Sequence, residues 1–286
     1  MPQSIPVSFA NQFNDNVREL YQQKGSRLRG TVMQESQDGE LEFFDRVGAV
    51  AAVEKTGRHS DTPILDVPHS RRAVISRDFV WATLLDKFDR LRLIIDPTSN
   101  YVRMAAHALG RVADDLIIAA ALGDALAGKT GDQTVPLPAG QVIPVGGANL
   151  TVDKLRDTQE LFDQNEVDEE DRFFAFTAAG RKSLLAQTEI TSSDFNTDKA
   201  LVDGQINTFM GFNFIRTERL PKVGNIHSSV AWQRNAITFS VAQDIMTRID
   251  ERPDKNYSIQ VYSDASFNAV RMEEEGVIRV DYDVTL

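Results

Sequence analysis

The stretch that decides the fold is PTSNYVRMAAHALGRVADDLIIAAALGDALA, Pro97 to Ala127. It begins with capping residues around a proline and is followed by Gly128, so we predict one helix over the whole stretch. About 30 residues at ~1.5 Å each make a rod roughly 45 Å long. A narrow polar stripe runs along the first half of the stretch, where spacings of three and four bring together Arg103, His107, Arg111 and Asp114 or Asp115. Leu116–Leu122 is apolar on all sides, which indicates burial. Asp124 interrupts that run well short of the ~20 apolar residues that a membrane span needs.

The end of this helix also matches the phosphate-binding loop pattern GxxxxGK[ST], at Gly123–Thr130. In a phosphate loop a strand enters and a helix begins at the lysine, so that N–H groups and the positive helix end face the anion. Here the predicted helix comes before the motif, and its C-terminus presents carbonyl oxygens. Gly128 fits better as the glycine that ends the helix, and Lys129 as a cation that complements that end. We therefore expect no nucleotide site, and a phosphate-loop NTPase is the weakest alternative.

Composition is typical of a folded protein with a substantial core: 286 residues, 42% hydrophobic and 26% charged. The absence of cysteine excludes disulfides, thiolate zinc sites and cysteine nucleophiles. The net charge of −11 is uneven, with 15 Lys/Arg against 14 Asp/Glu through Val112 and 16 against 28 after it. Such an acidic chain does not bind nucleic acid by bulk charge, but the asymmetry allows one part of a subunit to attract another part of its neighbour. Ordinary solvation of both surfaces is the alternative.

Residues of the usual catalytic and metal-binding types do not form a recognisable site. The four histidines have no ligand-type spacing: His59, His69, His107 and His227. The acidic runs Asp168–Asp171 and Glu273–Glu275 are expected to be solvated turns rather than cation sites. No GxSxG, HExxH or calcium-loop pattern is present. We therefore assign no catalytic, cofactor-binding or metal-ligating residue, and we expect no cofactor.

The residues before the long helix divide into an arm and an extended hairpin. Residues 1–40 are predicted to be an arm rather than a core. A short apolar stripe predicts a helix over about Ala10–Gln23, which has little core of its own to cover and is expected to pack on another part of the protein or on a neighbour, and the polar stretch Lys24–Glu40 with its turn signals follows. In residues 41–95, β-prone runs lie on either side of the turn-rich stretch Lys55–Ser70, which indicates a hairpin. A hairpin of this length is marginal alone and needs a surface to cover.

Contact with a neighbouring subunit would satisfy both the arm and the hairpin. The sequence offers six candidate contact residues: Arg58, Arg71, Arg72 and Arg77 near the hairpin, and Phe9 and Phe13 in the arm. For the arginines, simple solvation is an equal alternative.

The residues after the long helix predict an α/β unit followed by strands. Thr151 can cap a helix over about Val152–Gln164, and Thr177 can cap a second helix that ends near Ala186. Between them, Arg172–Phe176 reads as a strand. From Ser228 onward, short β-branched or alternating runs predict strands, and the last run places Ile278, Val280 and Tyr282 on one face.

The order of these parts is recognisable. RLRLIIDPTSNY leads into the helix with HALGRVADDLIIAAALGDALAG, and NLTVDKL, RFFAFTAAGRKSLL and GFNFIRTERLP follow. The chain then continues with SSVAWQRNAITFSV and SIQVYSDASFNAVRMEEEGVIRVDYD. This series resembles the major capsid protein of tailed bacteriophages, with the Hong Kong 97-type fold, over nearly the whole chain.

The resemblance implies an α+β structural protein and no enzyme. Its parts would be an N-terminal arm (1–40), an E-loop hairpin lying over the neighbouring subunit (41–95) and the spine helix of a P-domain (96–130). An α/β A-domain (131–235) and C-terminal strands that complete the P- and A-domains (236–286) would follow. One type of member forms Lys–Asn crosslinks, but Lys55 is not assigned that role.

The resemblance also implies the partners. Copies of the chain would form pentamers and hexamers of an icosahedral shell, assembled in the host cytoplasm and enclosing double-stranded DNA through weak, non-specific contacts. A portal, cement or decoration proteins and a separate scaffolding protein are expected, the last because no long N-terminal scaffolding extension is present; no membrane partner is expected. An encapsulin-like nanocompartment of the same fold is the alternative.

Overall fold

Three helices and three sheets organise the residues that the computed structural model describes, which are 22–55, 57–58, 62, 64–86, 98–187 and 208–285. The helices are α1 (Thr98–Leu122), α2 (Val152–Gln164) and α3 (Ala178–Leu185). None of the helices in these ranges is both long and apolar enough to cross a membrane.

The long helix α1 ends five residues earlier than the sequence predicted. The N–H of Gly123 donates to the Ala119 carbonyl at 2.8 Å and is the last bond of the helical ladder. Ala125–Ala127 then forms a strand, and Gly128, with a φ of 91°, lies in the turn that follows that strand. The prediction that Gly128 ends the helix and Lys129 complements it was therefore wrong. At 25 residues, α1 is about 37 Å long.

A buried arginine complements the C-terminus of α1 instead. The Arg271 guanidinium donates to the carbonyls of Ala120, Ala121 and Gly123 at 3.4, 3.1 and 2.5 Å, and to that of Val135 at 2.9 Å. These carbonyls carry the partial negative charge of the helix end, which favours a cation. Arg271 thereby ties the end of α1 to a strand that comes much later in the chain.

The first sheet packs against α1 and has the strand order β1-β13-β14-β4. Its strands are β1 (Met33–Ser36), β4 (Arg77–Leu85), β13 (Ile237–Arg252) and β14 (Ser258–Arg271). Odd-numbered residues of β14 face the helix, so Ala265 and Phe267 join Leu109 and Ile117 of α1 in one core. The sequence predicted only short strands here, whereas β13 has 16 residues and β14 has 14.

The second sheet is larger and holds a separate core. Its order is β7-β15-β12-β8-β10-β9, and β11 pairs with β12. The strands are β7 (Val142–Ile143), β8 (Arg172–Phe176), β9 (Thr208–Phe209), β10 (Phe212–Arg216), β11 (Lys222–Val223), β12 (Ile226–Gln233) and β15 (Val277–Asp283). Both predicted helix caps are confirmed, because the Thr151 hydroxyl accepts from the Lys154 N–H and the Thr177 hydroxyl from the Gly180 N–H.

The third sheet is small and contains the predicted hairpin. Its order is β2-β3-β5-β6, with β2 (Leu41–Val47), β3 (His69–Ile75), β5 (Ala125–Ala127) and β6 (Gln133–Val135). β2 and β3 pair in antiparallel register from Leu41 with Ile75 to Val47 with His69, which confirms the hairpin. β4 does not extend it, as the sequence suggested, but pairs with β14 in the first sheet.

The residues before the hairpin are anchored to the body of the subunit. β1 pairs in parallel with β13, and Leu28 and Val32 are fully buried in the core beside α1. Lys24–Glu40, which the sequence indicated to be a polar stretch with turn signals, therefore contributes to this core. The predicted arm helix over Ala10–Gln23 lies outside the described residues, except for its last two positions.

Candidate functional site: the assembly surfaces

The base of the β2–β3 hairpin is held by one buried carboxylate. Glu274, just after β14, accepts from Arg72 of β3 at 2.5 Å and from Arg46 of β2 at 3.3 Å. Arg271 lies 3.8 Å away from the same carboxylate. Because both hairpin strands meet at Glu274, the base of the hairpin has a defined position on the subunit.

Beyond this base, the hairpin exposes apolar side chains. Val47 is 67% exposed and Ile64 is 95% exposed. Others with large exposed fractions are Val50, Val53, Leu65 and Val67. A single soluble chain rarely leaves so many branched apolar side chains of one segment in water, which marks the segment as a contact surface.

The predicted contact residues of the hairpin have different surroundings. Arg58 and Arg77 are exposed. Arg71 is partly exposed, pairs with Asp45 at 2.9 Å and lies over the ring of Phe43. Arg72 is only 5% exposed, and its terminal nitrogen bonds within its own subunit to Glu274. Arg71 and Arg72 line the same cavity, and Arg58 and Arg77 are not among its described lining residues.

The two candidates in the arm, Phe9 and Phe13, lie outside the described residues. The described part shows how the arm is attached. Asp114 of α1 is fully buried, and its carboxylate accepts from the Ser26 hydroxyl at 2.5 Å and from the backbone N–H groups of Arg27 and Leu28 at 3.0–3.1 Å.

The polar stripe on α1 therefore makes hydrogen bonds and an ion pair within its own subunit. Arg111 donates to the Gln22 side chain and the Gln23 carbonyl, and Asp115 pairs with Arg219 of the loop after β10. Gly110 permits the contact, since a Cβ there would lie 2.7 Å from the backbone N of Ser26. Sequence reasoning found the stripe but not its partner. A glycine four residues before an aspartate inside a helix was the available signal.

A second exposed apolar surface lies on the first sheet, opposite α1. Val80 and Leu84 of β4 are 59% and 48% exposed, and Met246 of β13 is 49% exposed. Val80 and Met246 both stand opposite Asp264 of β14, so their side chains share the face that points away from the helix.

The chemistry of an enzyme is not evident in the described residues. They contain no group of three or more His, Asp or Glu side chains that could hold a metal. The phosphate-loop match forms strand β5 and a turn, and no helix begins at Lys129. His227 bonds through Nδ1 to the Thr177 hydroxyl, and its pKa is lowered by burial and by nearby Lys222.

The described part of the subunit has exposed contact surfaces rather than a recognisable catalytic or metal site. A family model agrees with this description of an assembling protein. The model for phage capsid proteins matches residues 5–284. The chain belongs to the phage capsid protein family. It is therefore a major capsid protein that forms the head shell, and it belongs to a family of structural proteins rather than enzymes. This decides between the two shell classes that the sequence left open.

Solved capsids show the same Hong Kong 97-type fold. The capsid of cyanophage P-SCSP1u matches with a TM-score of 0.77 at 15% identity, covering 98% of this chain and 94% of that one. Mycobacterium phage Che8 matches at 0.72 and 15%, covering 96% and 97%. The capsid of Helicobacter pylori bacteriophage KHP30 matches at 0.74 and 9%, covering 99% and 97%. No curated protein sequence matches significantly.

The family match also indicates with what this capsid protein associates and where it is found. Self-association of repeated subunits and a location in the virion follow from it.

Proposed function

We propose that this capsid protein forms pentamers and hexamers that close an icosahedral shell around double-stranded phage DNA. The observation that carries the proposal is the β2–β3 hairpin, whose base is fixed by Glu274 while its distal residues 48–68 expose apolar side chains. Burial of such a segment only on assembly stabilises the assembled state over the free subunit.

The proposed division of the subunit follows the resemblance, with adjustments that the strand pairing supports. The arm is 1–40, with its root at 22–37 docked on the body. The E-loop hairpin is 41–75 rather than 41–95, since β4 pairs in the sheet against α1. The A-domain is 131–235, and the strands of 236–286 are shared, with β13 and β14 in the P-domain and β15 in the A-domain.

Partners other than the chain itself are part of the same proposal. A scaffolding protein, a portal and cement or decoration proteins would complete the head, which would assemble in the host cytoplasm. The net charge of −11 suits a wall that holds packaged DNA by weak, non-specific contact, because tight binding of phosphates needs a basic surface.

The test is electron microscopy of the purified protein, assembled with the scaffold from the same phage. The informative variant replaces residues 49–68 with Asn-Gly-Thr, so that a two-residue turn joins Gly48, whose N–H donates to the Pro68 carbonyl at 2.8 Å, to a threonine that, unlike Pro68, has an N–H to donate back. We expect a folded subunit, with unchanged circular dichroism, that forms no closed shells.

A matched control replaces the same residues with a Gly/Ser loop of equal length. It distinguishes the effect of shortening the hairpin from the effect of removing its apolar side chains. Normal shells from the Asn-Gly-Thr variant would refute the role of the hairpin. Persistently monomeric wild-type protein with its scaffold under all conditions would refute the proposed shell architecture.

A further inference from the structure

Two cavities of opposite charge flank the base of the β2–β3 hairpin. One, the cationic notch, lies between β3 and the β5–β6 turn, has a volume of about 580 Å³, and includes His69, Arg71, Arg72 and Lys129 in its lining. The other, the acidic groove, lies along the end of β2, has a volume of about 500 Å³, and includes Glu166, Asp168, Glu273 and Glu275. Within the described part of the chain, no residue lines both cavities.

The described lining of the notch has more cationic than anionic side chains. Asp45, the one carboxylate that the structure describes in its lining, is already paired with Arg71. Lys129 is exposed and forms no ion pair with any described residue. Arg72 is 5% exposed, and although its terminal nitrogen bonds Glu274, its Nε has no acceptor within the described part of the chain. With Asp45 paired to Arg71 and Lys129 exposed without an ion-pair partner, the accessible charge of the notch is positive, which favours an incoming anionic group.

The acidic groove is the reverse of the notch. Arg46 is the only cation among the described residues that line the groove, and its guanidinium already pairs with the buried Glu274. Glu273 and Glu275, on either side of Glu274, are exposed, as are Glu166 and Asp168 on the turn after α2. Four carboxylates with one committed arginine repel each other and favour an incoming cation.

We infer that the cationic notch of one subunit receives the acidic groove of a second copy of this chain, as a head-to-tail contact around the capsomer. Two complementary surfaces on different flanks of the same element form a heterologous interface, which generates a ring when the rotation between neighbours closes. The contact extends the proposed function, on which it rests, by naming the surfaces at the hairpin base that set the direction of the ring.

Charge favours a second copy over nucleic acid as the occupant. The notch alone would accept a phosphate, but a polyanion would also meet the acidic groove beside the same hairpin and a net charge of −11. Complementary charge at such a contact sets register and partner choice.

The experiment reverses single charges and measures hexamer formation by native mass spectrometry. The notch variant is Lys129→Glu and the groove variant is Glu275→Lys, with Glu273→Lys in parallel. We expect each to raise the concentration at which half of the protein is assembled by roughly fivefold, the upper end for one exposed ion pair. Lys182→Glu, an exposed change on α3, is the matched control and should shift it less than about twofold.

Mixing the variants makes the test specific to a contact between subunits. In an equimolar mixture of the notch and groove variants, an alternating six-membered ring faces each altered notch with an altered groove and each normal notch with a normal groove. We expect hexamers to recover to wild-type levels and pentamers to stay impaired, because a ring of five cannot alternate.

The outcomes separate this inference from the function on which it rests. If wild-type protein forms no rings or shells, the proposed function fails. If wild-type protein assembles but Lys129→Glu assembles equally well, or no mixture recovers hexamers, the head-to-tail contact is wrong. Normal shells of Lys129→Glu that package less DNA would overturn it in favour of a phosphate contact.

Discussion

The β2–β3 hairpin and the seven-stranded sheet have equally regular strand pairing but opposite surroundings. No residue of β2 is buried, whereas six of eight residues in β12 and five of seven in β15 are. Three of the seven residues of β3 are buried, and Val74 belongs to a small core against which Phe44 of β2 packs, so the hairpin pairs on a much smaller core than the sheet. The sheet therefore provides most of the stability of the free subunit. The exposed apolar side chains of the hairpin are available for contact with another molecule.

The largest expected effect comes from the sheet. Phe174 of β8 is fully buried between Phe212 and Phe214, with ring centroids 6.0 and 5.4 Å away. Phe174→Ala removes these contacts and leaves a cavity, so we expect the free energy of unfolding to fall by about 3–5 kcal/mol. Chemical denaturation of the unassembled subunit measures it. A loss below about 1 kcal/mol would show that the sheet is not the stable part of the comparison.

An intermediate effect is expected where the arm docks on α1. Gly110→Ala favours the helix by up to ~1 kcal/mol, but the new Cβ would lie 2.7 Å from Ser26 N and 2.8 Å from Gly25 C, which are backbone atoms. We expect a net loss of about 1–3 kcal/mol and faster amide exchange over residues 25–32.

The matched control for this change is Gly30→Ala, where a Cβ has no neighbour within 4 Å. Its stability should stay within about 0.5 kcal/mol of wild type. Unchanged exchange in the Gly110→Ala protein would mean that the arm root does not depend on close approach to α1.

The smallest effect on the subunit is expected at the hairpin tip. Ile64 is 95% exposed, so Ile64→Ser should change the free energy of unfolding of the free subunit by less than about 0.5 kcal/mol. Assembled shells of the same variant should dissociate at a lower denaturant concentration than wild-type shells, because the proposal buries the Ile64 side chain only in the shell. Ile64→Val is the conservative control. Shells as resistant as wild type would leave the hairpin without the partner that the comparison assigns to it.

Much of the region around the seven-stranded sheet was predictable from the sequence, because the residues that indicate its helices and its last strand lie close together in the chain. Thr151 and Thr177 each precede an amphipathic run and cap a helix as predicted. The alternation in the last strand placed Ile278, Val280 and Tyr282 on a buried face, which is confirmed. The resemblance to phage capsid proteins, carried by the order of such segments, is confirmed as well.

The candidate contact surfaces were only partly predictable. The hairpin followed from two β-prone runs around a turn-rich stretch, but Arg72 turned out to be buried against Glu274, about two hundred residues further along the chain. No local pattern reports such a partner. The same holds for the notch and the groove, which combine residues from distant strands and turns.

The amino-acid sequence by itself determined the long helix, the helix caps, the hairpin and the family. These depend on periodicity, capping and turn residues within a few positions. Only the tertiary structure decided that α1 stops at Leu122, since Ala125–Ala127 gains more by pairing with β3 and β6 than by continuing the helix, and Arg271 satisfies the carbonyls left at its end. It also decided that Asp114 holds the arm root, because a buried carboxylate is stable only where distant backbone N–H groups converge on it.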